Sequence, residues 1–119
     1  MADRLLFLSW GASVRGMEER SVEVFNEALG YYSRLQQDGR IESFEVVLLS
    51  PNGGLDGYME LRGSAAQLAE VREDTVFRRL LVDAGLIVND LRIVDGYCNE
   101  GVAEAMGIYQ EAIAGTPQR

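Results

Sequence analysis

Residues 41–62 read IESFEVVLLSPNGGLDGYMELR, and this stretch decides the fold. From Ile41 to Leu49 the side chains alternate as an extended strand requires. Phe44, Val46 and Leu48 share one face, and Glu45, Val47 and Leu49 share the other. Pro51-Asn52-Gly53-Gly54 supplies the residue types that turns need. From Gly57 to Arg62 the alternation resumes, with Met59 and Leu61 set against Tyr58, Glu60 and Arg62. Two such runs joined by a short loop predict an antiparallel hairpin.

The neighbours of this hairpin repeat one another. Upstream, Leu5 to Trp10 is apolar enough for a buried strand, and Gly11 to Gly16 reads as a loop. A helix over about 17–37 follows, with Val22, Phe25, Ala28, Leu29, Tyr32 and Leu35 on one face, Glu18 and Glu19 in its first turn, and Gly39 as its C-terminal cap. Gly30 lies inside this helix, where it costs about 1 kcal/mol relative to Ala unless a close contact needs it. Downstream, Ser64 and Gln67 have the spacing of a capping box. The helical phase then breaks at Glu73-Asp74-Thr75, which predicts a split or kinked element re-capped by Asp74 or Thr75 and ended by Gly85. Leu86-Ile87-Val88 reads as an extended entry to a fourth strand over 91–97. A last helix is expected over about 102–114, with Val102, Ala105, Met106, Tyr109, Ala112 and Ile113 in one stripe. That stripe is too continuous to face water, so the helix is expected to dock on the open end of its own sandwich or on a partner subunit. Arg34-Leu35 and Arg79-Leu80 each precede a glycine and a strand, a faint internal echo.

Strand, helix, strand, strand, helix, strand predicts an α+β ferredoxin-like βαββαβ sandwich with an added C-terminal helix. The chain of 119 residues suits one such domain over 1–119, with a core over about 4–98.

Composition removes whole classes of function. The net charge of −8 leaves no basic stripe for DNA, RNA or an anionic membrane surface. The strand order of RNA-binding modules is present, but not their exposed aromatics in basic surroundings. There is no histidine, which removes the commonest metal ligand, general base and haem ligand. A single cysteine, Cys98, excludes an internal disulfide and Cys-rich zinc sites, and nothing beside it in sequence would activate its thiol. No metal and no cofactor is therefore expected. All eleven basic residues are arginine and are scattered along the chain, which reads as coding bias. No apolar run approaches the length of a membrane span, and no signal segment is visible, so a cytoplasmic protein is expected.

Two helices cover one face of a four-stranded sheet. The other face would carry either the Phe44 set or the Glu45 set, together with Tyr58, Glu60 and Arg62. Either choice exposes an apolar patch that a second copy would hide. In this logic, in element order and in strand patterning, the chain resembles the dimeric α/β-barrel superfamily over about residues 4–98. Arg15-Gly16-Met17-Glu18-Glu19, Gly39 to Phe44, Pro51 to Gly54, Gly57-Tyr58 with Arg62-Gly63, and Phe77 to Leu80 are similar to segments of a group of small uncharacterised bacterial proteins. The superfamily resemblance implies a homodimer joined through the open sheet face. It also implies a small-molecule pocket between sheet and helices. It admits two functions, namely binding of a small organic ligand without catalysis, or a cofactor-independent enzyme of the monooxygenase or isomerase type.

The candidate residues follow. Trp10, Tyr58, Tyr97 and Asn99 would line a pocket, with ordinary packing as the plainer reading. Arg15 and Arg20 flank the start of the first helix and would bind a carboxylate or phosphate there, unless they pair with nearby glutamates. Glu60, if buried, would serve as a base, with Tyr58 beside it. The plainer reading is a cross-strand ion pair, as with Arg92. Gly53-Gly54 lacks the Lys-Ser/Thr of a phosphate loop and reads as a turn.

Overall fold

The computed structural model of the chain describes residues 1–118. Its elements are β1 (Arg4–Trp10), α1 (Glu18–Gln37), β2 (Ser43–Leu48), β3 (Gly57–Gly63), α2 (Ala65–Glu73), α3 (Thr75–Ile87), β4 (Arg92–Tyr97) and α4 (Glu100–Ala114). The hairpin forms as its alternation requires, with Phe44 opposite Leu61 and Val46 opposite Met59. Gly53 at φ 78° makes the turn, and the Asn52 amide donates to the carbonyls of Ser50 and Leu55. The sheet order is β2-β3-β1-β4, antiparallel at every junction, and the sheet is open at both edges within the protomer.

One face of this sheet is covered. Leu6, Leu8, Met59 and Leu61 point into a core shared with Val71, Phe77, Tyr32 and Leu35 from the helices. The register places Phe44 and Val46 on this covered face. The open face therefore carries Glu45 and Val47 with Tyr58, Glu60 and Arg62, joined by Leu5, Phe7 and Ser9 of β1 and Arg92 and Val94 of β4.

Helix ends follow local chemistry. Ser64 and Gln67 form the reciprocal capping box. Asp74 separates α2 from α3: its carboxylate accepts the Val76 N–H at 2.8 Å and the Arg40 guanidinium at 2.8 Å. Three details depart from the sequence pattern. In α1 the buried residues are Val24, Ala28, Tyr31, Tyr32 and Leu35, and Val22 is 60% exposed, because α1 leans on α3 as well as on the sheet. α3 runs through Gly85 to Ile87 instead of becoming extended: Ile87 is drawn into the core, and the Val88 N–H still bonds the Ala84 carbonyl. Gly30 has no tight contact, only the Arg34 guanidinium 3.5 Å from where a Cβ would lie.

The last helix does not dock on its own sandwich. α4 begins where Asn99 takes φ 49° and Gly101 packs against the Asp3 carbonyl, with no room for a Cβ. Beyond that hinge, Val102, Met106, Ile108, Tyr109 and Ile113 are 39–62% exposed. The radius of gyration is 16.6 Å, against roughly 13.5 Å for a compact domain of this length. The projecting helix accounts for the difference. Among the described residues, no helix is long and apolar enough to cross a membrane.

Candidate functional site

Between the covered sheet face and the helices lies a cavity of about 560 Å³. Its floor is Leu8, Trp10 and Met59, and its walls are the N-terminal half of α1 and the C-terminal half of α3. Both walls include a small residue, Ala28 on α1 and Ala84 on α3. Trp10 anchors the floor. Its ring meets Phe25 edge-on, with centroids 6.1 Å apart. It lies over its cross-strand neighbour Gly57, where a Cβ would come within 2.8 Å of the indole.

Polar groups stand at the mouth and are largely engaged. The Ser21 hydroxyl donates to the Met17 carbonyl at 3.0 Å and reaches the Ile87 carbonyl at 3.3 Å. Glu18, the carboxylate of the lining, accepts the Gly16 N–H on both oxygens. Tyr32 reaches the lining from the core, and burial pushes its phenol well above its ordinary pKa, so it stays neutral. No acid–base pair is assembled here. What the lining presents is a mostly apolar surface.

The sequence candidates fall in five separate places. Trp10 is in the cavity. Tyr58 is on the open sheet face, stacked on Phe7 at 5.2 Å. Glu60 is on that face too, and accepts Arg62 of its own strand at 3.0 and 3.3 Å instead of pairing with Arg92. Tyr97 and Asn99 are at the far end of the sheet from Trp10. Tyr97 lies 4.8 Å beneath the Arg4 guanidinium, and Asn99 donates to the Ala2 carbonyl. Arg20 is held by Glu23, Glu27 and Asp83, and its hydrogen bonds to the two glutamates raise its pKa. Arg15 is exposed in the loop before α1. Trp10, Tyr58, Tyr97 and Asn99 therefore do not share one pocket, and Arg15 and Arg20 do not converge on an anion site. Of the residues lining the cavity, Trp10 alone is among those candidates; Phe25, Ala28 and Tyr32 entered only as one face of α1, and nothing in a helix stripe marks which of its members border a space. Among the described residues, no cluster of acidic or sulfur ligands could hold a metal ion.

The fold is ferredoxin-like by comparison as well as by topology. A protein of unknown function from Bacteroides fragilis, described as dimeric and ferredoxin-like, superposes with a TM-score of 0.59 at 11% identity, over 80% of this chain and 96% of its own. A hypothetical Arabidopsis thaliana protein superposes in its solution structure with a TM-score of 0.61 at 12% identity, over 82% of this chain and 88% of its own. No family model matches the chain, and no curated protein matches its sequence.

Proposed function

We propose that the protein is a homodimer in which two open sheet faces pack together to close an α/β barrel. In this reading each protomer binds a small apolar organic molecule over Trp10, without catalysis. The cavity is the observation that carries the binding reading, being mostly apolar, of ligand size and accessible from solvent. The open face with Leu5, Phe7, Val47, Tyr58 and Val94 supports the dimer, as does the dimeric description of the Bacteroides fragilis neighbour. A reducing, cytoplasmic setting suits the free thiol of Cys98. A cofactor-independent oxygenase or isomerase is the second reading, supported by the same apolar walls and weakened by the lack of a free acid or base among them.

Trp10 is the only tryptophan and sits on the cavity floor, so it reports on occupancy. Native mass spectrometry of the purified protein, followed by titration with a naphthol or a medium-chain alcohol, tests this proposal. Binding should change the Trp10 emission saturably, and Ala84→Phe, which fills the space between the helices, should abolish the change. An emission indifferent to every such probe, with no retained ligand in the native spectrum, would overturn the binding reading. Turnover of a bound phenol with oxygen uptake would favour the enzyme.

A further inference from the structure

The open face has an acidic edge and a basic edge. On β2, Glu45 stands directly across the ladder from Glu60, and the Arg62 guanidinium bonds Glu60. Like charges facing each other across a ladder are unfavourable, and Glu45 has no ion-pair partner among the described residues. On β4, at the opposite edge, Arg92 is likewise exposed and unpaired among the described residues. Between the edges lie Phe7 of β1 and Tyr58 of β3, with Val94 beside Arg92 on β4.

Two-fold packing of this face on a copy has two simple forms. An axis across the strands lays β2 on β2 and β4 on β4, so Arg92 faces a strand whose open-face residues are Arg92, Val94 and Gly96, with no acid among them. An axis along the strands lays β2 of one copy over β4 of the other, at both edges. The register then puts Arg92 opposite Val47, one row from Glu45. Rows are about 7 Å apart and packed sheets about 10 Å, a diagonal that a long arginine can bridge. Each chain carries a net charge of −8, so copies repel at long range and local complementarity must orient them.

We propose that Arg92 of each copy pairs with Glu45 of the other, so that the two sheets pack with β2 of one over β4 of its partner. This rests on the dimer reading above and adds its orientation. Sedimentation equilibrium of the full chain at low salt tests it, with circular dichroism confirming that each variant is folded. R92E and E45R should each raise the dimer dissociation constant at least about tenfold, and the deficit should shrink as salt screens the charges. The double variant E45R/R92E, which reverses the pair, should return to within about threefold of the parent. R92Q and E45Q serve if a reversal prevents folding, and each should weaken the dimer by about threefold. Single variants that dimerise like the parent would overturn the pairing while leaving the dimer intact. A double variant no tighter than the single ones would do the same. A monomeric parent would overturn both the pairing and the dimer.

Discussion

Gly30 illustrates a residue whose reading depends on its surroundings. It sits in the fourth turn of α1 with ordinary helical geometry and space for a methyl group. Gly30→Ala should therefore stabilise the fold by about 0.5–1 kcal/mol through lower unfolded-state entropy, seen as a higher urea midpoint at an unchanged slope. A loss of stability would show that a neighbour needs the gap. Asp74 is the opposite case, a single side chain with two roles. Its bond from the Arg40 guanidinium, and then the Val76 N–H, hold its carboxyl below the usual aspartate range. A carboxyl with a depressed folded pKa stabilises above its unfolded value of about 3.9, and that contribution vanishes as pH falls through the lower folded value. Asp74→Ala should cost about 1–2 kcal/mol near neutral pH, and the gap between variant and parent should close in acid below about pH 3.9. Urea melts at several pH values measure this. A gap that stays constant into strong acid would mean that the ionised carboxylate is not what stabilises the α2–α3 junction.

At the scale of elements, α4 is the one that a single protomer does not explain. Its periodic stripe predicted burial, yet only Gly101 at its base is buried. The stripe and the helix are both present; what is missing is a surface against it. A helix shows only that it has an apolar face, never which molecule supplies the cover. Burying Met106 and Ile113 would contribute roughly 1.5–3 kcal/mol each. In a chain ending at Gly101 that contribution should be lost through the dimer and not through the protomer. The melting temperature should fall, and fall further on dilution. A truncated protein with the parent's mass and melting temperature would mark α4 as a dispensable tail. α2 and α3 were legible for a different reason. The capping chemistry at Ser64 and Asp74 is local, so it shows in the sequence before any packing is known.

For the whole molecule, light scattering at micromolar concentration should give twice the chain mass of 13.2 kDa. A strictly monomeric particle would leave Phe7, Tyr58 and Val94 on an uncovered face and end the barrel argument. Elemental analysis of untagged protein should find no stoichiometric transition metal, because carboxylates and carbonyls alone favour weak Mg²⁺ or Ca²⁺ sites. Zinc or iron near one per chain would contradict this.

The order of elements, the hairpin and the helix split were legible in the residues alone. Each rests on a period or a cap confined to a few neighbouring residues. The sequence offered Trp10, Tyr97 and Asn99 together as candidates, but could not say that the last two lie at the other end of the sheet from the first, since strand order and register are long-range facts. The face of β2 was undecidable from alternation, because Phe44, Val46 and Leu48 on one side and Val47 and Leu49 on the other are both apolar enough to be core. Pairing with β3 settled it: Met59 and Leu61 had to meet the helices, and their partners Val46 and Phe44 went with them. The cavity was the tertiary structure's alone. Ala28 and Ala84 lie 56 positions apart in the chain, and a space that both line exists only once α1 and α3 are packed on the sheet.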